Sequence, residues 1–228
     1  LVGIPGTAED VGVARDLAIA ELTNARIHIG HVTTAGAVEL IRQAKRRGVR
    51  VSAEASPHHL LLTDREALGY RSQAKLMPPL RTAADVEALI DGLADGTLDA
   101  IASDHRPRTA LEKNKEFDNA ADGAVALELS AGVAFELARR GRLTMGRALA
   151  LLTRGPANVL GREDLGRLTE GGPADLVLFD PERVWTVRAS ELLSRAQCTP
   201  LDGWSLCGRS MLTVAGGTPT FIDPEENH

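Results

Sequence analysis

Apolar positions recur at helical spacing over residues 7–22, where Val11, Val13, Ala14, Leu17, Ala18 and Leu22 predict one packed face. Thr7 with Asp10 three residues on predicts a capping box there. Residues 25–32 predict a strand, and residues 34–47 a helix closed by Gly48. Residues 49–55 predict a second strand stopped by Pro57. Residues 82–93 predict a helix with Thr82 and Asp85 in capping-box register, and residues 98–103 a third strand. Two more helices are expected over 123–140 and 144–153. Strands alternating with helices make parallel βαβ units.

From about Gly161 the period changes to short apolar runs between Gly and Pro turns, at residues 176–180, 184–187 and 211–217. The expected organisation is an α/β fold, a partial (β/α) barrel over 1–160 followed by a β-rich appendage over 161–228. Three strands cannot close an eight-stranded barrel. The chain opens at Leu1 rather than Met, in the turn-rich Val2-Gly3-Ile4-Pro5-Gly6, so further polypeptide is expected upstream.

Composition narrows the function. Aromatics are 3% of the 228 residues, so the core must be built from Leu, Val, Ile and Ala. The net charge of -5 argues against a nucleic-acid partner, which would need a basic excess. Cys198 and Cys207 are too few for a disulfide framework, which points to a reducing cytoplasm. No apolar run is long enough to span a membrane, and no signal peptide is seen. The aspartates 85, 91, 95 and 99 fall at caps and turns.

Two side chains stand where a parallel barrel places its chemistry, at the C-terminal ends of strands. His31 follows the first strand, with His28 expected on the opposite face, and Asp104 follows the third. Imidazole and carboxylate are ligands for a hydrolytic zinc, but such a site needs three protein ligands. On the residues alone, a shared ion and two structural side chains both stand. His58-His59 after Pro57 reads as a loop pair of which at most one faces a common site, and Met77-Pro78-Pro79-Leu80-Arg81 as a rigid extended loop.

His31-Val32-Thr33-Thr34, Glu54-Ala55-Ser56-Pro57-His58-His59-Leu60, Pro78-Pro79-Leu80-Arg81, Ile101-Ala102-Ser103-Asp104-His105 and Gly172-Pro173-Ala174-Asp175 resemble, in order, stretches of class I dihydroorotases of the amidohydrolase superfamily. The resemblance implies the C-terminal part of a (β/α)8 TIM-like amidohydrolase barrel with a small β-sandwich appendage. It implies interconversion of dihydroorotate and N-carbamoyl-aspartate in pyrimidine biosynthesis by a zinc-activated water, with His31 as metal ligand and Asp104 as metal ligand and general base. The family's His-x-His pair, substrate-binding Arg, bridging carboxylated Lys or Asp, and further His have no counterpart here.

Inside the matching region the chain departs from the pattern. Met77 stands at the family's substrate-binding Asn. Asp104-His105-Arg106-Pro107-Arg108 replaces Asp-His-Ala-Pro-His, which makes Arg108 a candidate contact for the substrate carboxylate. The substrate loop Ala-Pro-Phe-Gly reads Ala120-Ala121-Asp122-Gly123, so Asp122 and Gly123 are candidate substrate contacts. Three readings follow: a dihydroorotase portion whose site is incomplete in this chain, a catalytically silent scaffold for aspartate transcarbamoylase, or a cyclic amidohydrolase with another substrate. A homo-oligomer is a further expectation.

Overall fold

The computed structural model describes residues 3–223. Helix α1 (Gly6–Thr23) is capped by Pro5, with no side-chain cap bond, so the expected Thr7–Asp10 box does not form. The Asp10 carboxylate instead accepts from Thr34 Oγ1 at 2.6 Å. The expected apolar face also needs correction. Val13, Leu17 and Ala20 are buried, whereas Val11 and Leu22 are 70% and 87% exposed. One neighbouring layer takes only the narrow stripe at i, i+4 and i+7.

Strand β1 (Ile27–Ile29), helix α2 (Ala35–Arg46), strand β2 (Val51–Ala55), helix α3 (Pro57–Leu61), helix α4 (Ala83–Asp95) and strand β3 (Ala100–Ile101) follow. The strands form a parallel sheet in the order β1-β2-β3, with Ile27 opposite Val51 and Glu54 opposite Ala100. β1 and β3 are shorter than the apolar runs predict, because among the described residues each is hydrogen-bonded as a strand only to β2. Thr34 caps α2, and Thr82 with Asp85 forms the expected reciprocal box on α4. α2 and α4 approach closely at Gly92, where a Cβ would lie 3.1 Å from Val38 Cγ1.

His58 and His59 lie on α3 rather than on a loop. Pro57 occupies the first helical turn, where its missing N–H is no loss. After α5 (Ala110–Lys113), the helix expected over 123–140 begins late. Ala124 is drawn into a bridge with His105, and helical structure starts with a 3-10 turn at Leu127–Leu129 and continues as α6 (Ser130–Arg139). Helices α7 (Met145–Leu152) and α8 (Arg154–Val159) follow.

Strands β4 (Leu176–Thr186), β5 (Ser205–Ala215) and β6 (Thr218–Ile222) form an antiparallel sheet in the order β4-β5-β6. The two apolar runs at 176–187 belong to one strand, whose pairing register shifts between Asp180 and Val184. The sheet meets α6 where Phe179 stacks on Phe135 at a centroid separation of 4.2 Å. Gly208 permits that stack, since its φ is 91° and a Cβ there would come within 2.5 Å of the Phe179 ring. No helix among the described residues is long and apolar enough to cross a membrane.

Candidate active site at the strand ends

The C-terminal ends of β1, β2 and β3 carry His31, Glu54 and Asp104. His31 and Asp104 both have left-handed backbone, at φ 54° and 45°. Non-glycine residues adopt that region at a steric cost and hold it only where surrounding structure enforces it. The two turns bring the side chains together, with His31 Nε2 3.6 Å from Asp104 Oδ1.

Glu54 completes the cluster. Its Oε1 lies 3.4 Å from His31 Nδ1, a buried nitrogen with no hydrogen-bond partner. Its Oε2 lies 3.2 Å from His28 Nε2. The expectation that His28 and His31 face opposite ways therefore fails. His28 pairs in register with Ser52, so it shares a face with Glu54 two residues further along β2. His31 lies beyond the strand, and its left-handed turn returns the ring to that face. Glu54 was legible as the polar residue on the same face as Ser52, but nothing in the sequence announced that it would meet both histidines.

The loop after β3 closes over Asp104. Arg106 Nε sits 2.8 Å from Asp104 Oδ1, the same oxygen that faces His31, and the Asp104 side chain is only 5% exposed. The guanidinium reaches on to Asp122, at 3.8 Å. The Arg106 N–H donates to the Ala124 carbonyl at 3.0 Å. Gly123 is required beneath it, since at φ 108° a Cβ would stand 2.7 Å from Arg106 Cβ. Arg108 turns to the loop itself. Its Nε donates to the Asp122 carbonyl at 2.8 Å, and the head lies 3.7 Å from Glu112. Met77 is partly exposed, beside the backbone that His59 holds.

Polar side chains fix this loop. His105 Nδ1 accepts the backbone N–H groups of Ala126 and Leu127 at 3.2 and 3.1 Å, which leaves its proton on Nε2. The Lys113 ammonium, fully buried, donates to the carbonyls of Lys75 and Ala121 at 3.1 and 3.0 Å. Burial lowers its pKa to about 8, against the pull of Cys198 and Asp122. His59 lies between Ser56 Oγ at 2.7 Å and the Pro78 carbonyl at 3.0 Å, and burial brings it down to about 4. His58 is driven down to about 3, chiefly by burial and then by the charge of His59, with neither ring nitrogen in hydrogen-bond geometry. Both imidazoles are neutral at pH 7.

One ion bound at about 2.0–2.2 Å to each of two ligands tolerates a separation of 3.6 Å between them, so the His31–Asp104 pair suits two positions of a metal site. The set stops there. Among the described residues no group of three His, Cys, Asp or Glu side chains is arranged to hold an ion. The described residues alone therefore do not fit a hydrolytic zinc, and Arg106 already supplies Asp104 with a positive charge.

The model of the amidohydrolase family matches residues 4–206. The chain belongs to the amidohydrolase family. This amidohydrolase chain is 51% identical over 219 residues to the dihydroorotase of Anaeromyxobacter dehalogenans (strain 2CP-C), covering 95% of itself and 50% of that protein. It is 47% identical over 221 residues to the dihydroorotase of Syntrophotalea carbinolica, covering 97% of itself and 52% of that protein. The chain thus spans about half the length of the curated relatives it matches. Among solved structures, the L-hydantoinase (dihydropyrimidinase) from Arthrobacter aurescens superposes with a TM-score of 0.90 at 30% identity, over 96% of this chain and 49% of that one. The fold is the α/β amidohydrolase fold, in a family that is generally metal-dependent.

Proposed function

We propose that this chain is the C-terminal part of a dihydroorotase-type amidohydrolase, whose (β/α)8 barrel is completed by other polypeptide and whose β-rich appendage begins at about Gly161. The reaction would be the interconversion of dihydroorotate and N-carbamoyl-aspartate. The observation that carries this reading is the His31–Asp104 pair, held face to face at 3.6 Å by two left-handed turns at parallel strand ends. Asp104 would take a proton from water and return it to the leaving nitrogen. His31 and Asp104 are the groups to hold a zinc ion once other ligands complete the set. Asp122, Gly123 and Arg108 form the loop beside the substrate position, with Arg106 nearest to Asp104. Two free cysteines, Cys198 and Cys207, accord with a reducing cytoplasm.

A second reading rests on Arg106. Its guanidinium occupies the carboxylate oxygen that the base and the metal would use, and Asp122 adds negative charge where an anionic substrate would sit. That arrangement favours a silent subunit that serves as a scaffold, for itself or for aspartate transcarbamoylase. The test is dihydroorotate hydrolysis with added zinc, alongside calorimetric binding of dihydroorotate and sedimentation with the transcarbamoylase. Turnover abolished by Asp104→Asn supports the catalytic reading. Substrate binding or co-sedimentation without turnover supports the silent one. Neither turnover, binding nor assembly removes both.

A further inference from the structure

The opposite ends of the same strands border an open cavity of about 440 Å³. Its wall lies where β1 and β2 begin and where α7 and α8 pass beneath β3, and its ionic lining is Arg26, Arg50, Arg147, Arg154 and Asp99. Four arginines against one aspartate is an uneven balance in a chain of net charge -5.

Asp99 does not restore that balance. Its two oxygens take Lys45 Nζ at 2.9 and 2.8 Å, and one also accepts the Ala53 N–H at 2.8 Å. Arg26 donates to the carbonyls of Asn158 and Val159, both at 2.6 Å, and Arg147 to those of Leu93 and Leu98 at 2.6 and 2.7 Å. Those carbonyls orient the two heads without cancelling their charge. The side chains of Arg50 and Arg154 make no hydrogen bond or ion pair among the described residues. Arg154 lines the cavity from the start of α8, whose backbone packs close before β3 at Gly155, where a Cβ would overlap the Asp99 carbonyl. Burial lowers the pKa of Arg147 against the pull of Asp99 and Asp95, and the like charge of Arg154 adds to the lowering.

We propose that this cavity binds a phosphorylated small molecule, with Arg50 and Arg154 as the free anion contacts and Arg26 and Arg147 as fixed cations behind them. Arginine forks suit phosphate oxygens, and the volume falls in the roughly 300–1,000 Å³ range of small-ligand sites. Ser52, also on the wall, begins a polar chain toward the other end of the sheet. Its Oγ is 2.9 Å from His28 Nδ1, and His28 in turn faces Glu54 at 3.2 Å. The proposal is independent of the chemistry assigned to Asp104.

Calorimetric titration with inorganic pyrophosphate, against sodium chloride of equal ionic strength, tests it. Saturable one-to-one binding is expected, at least tenfold weaker in the Arg50→Gln, Arg154→Gln double variant and unchanged in Asp104→Asn. Circular dichroism and melting of the double variant check that it folds as the parent does. Absence of saturable binding beyond the chloride control overturns the proposal. So does equal affinity in the folded double variant, or loss of binding in Asp104→Asn.

Discussion

The two ends of the parallel sheet use the same three strands and are built in opposite ways. At the C-terminal ends, Glu54, Asp104 and Asp122 gather around His31 and Arg106, the backbone is left-handed at two non-glycine positions, and Asp104 is buried. At the N-terminal ends, arginines surround an open cavity, and carbonyls at or beyond helix C-termini hold two of them. The first rim depends on loops that cross long stretches of chain and are pinned by buried His59 and Lys113 and by His105. The second depends on where short helices stop. Strain and burial have collected at the end where chemistry is proposed, while the cavity at the other end carries unbalanced charge and has no left-handed non-glycine residue in its wall.

The strongest way to break the comparison is to find full catalysis at the first rim. The chain alone is expected to hydrolyse dihydroorotate no faster than buffer with zinc added, because the described residues hold no group of three His, Cys, Asp or Glu side chains and a hydrolytic zinc needs three protein ligands. A turnover near the enzyme median of about 10 s⁻¹ would contradict the incomplete site.

Acid comes next. His58 and His59 titrate near 3 and 4 when folded, below their ordinary 6.5. As pH falls, the unfolded chain therefore binds protons that the folded chain refuses. This stability is present above pH 6.5 and is lost on the way down through about 4 and 3. At pH 5 the loss is about 2 kcal/mol per histidine, which denaturant melts between pH 7 and 5 will register. His58→Gln should remove about half of that dependence and leave the part that His59 carries. A parent melt insensitive to this pH window would show that the imidazoles are not buried as described. The arginine-lined rim has no histidine in its wall.

Arg106→Ala sharpens the charge contrast. Removing the guanidinium from Asp104 is expected to raise cobalt or zinc affinity about tenfold, roughly 1.4 kcal/mol, since a dication and a guanidinium repel at one carboxylate. Calorimetry showing unchanged affinity would mean that the Arg106 head moves aside without penalty. The smallest effect belongs to the second rim. Arg50→Gln and Arg154→Gln should each change stability by less than about 0.5 kcal/mol, as surface groups without partners do. A larger drop in melting would assign them a structural role.

The comparison also separates what could be read early from what could not. The Thr82–Asp85 box was legible because its partners are three residues apart, while Thr7–Asp10 had the same spacing and failed because Asp10 found Thr34 across the fold. The helix expected from residue 123 starts later because His105 takes the N–H groups of Ala126 and Leu127. Arg106 was visible only as a departure from a family pattern. Its contact with Asp104 depends on a loop geometry that Gly123 makes possible.

By itself the sequence determined the alternation of strands and helices, the placement of His31 and Asp104 after strands, and a core of aliphatic residues. These follow from periodicity and composition, which act over a few neighbouring residues. Only the tertiary structure decided that His31 turns back to the face of Glu54, that Arg106 neutralises Asp104, and that four arginines from distant segments line one cavity. Side-chain direction beyond a strand end, and the sum of charges in a shared space, depend on how separate segments pack, and no local pattern encodes that.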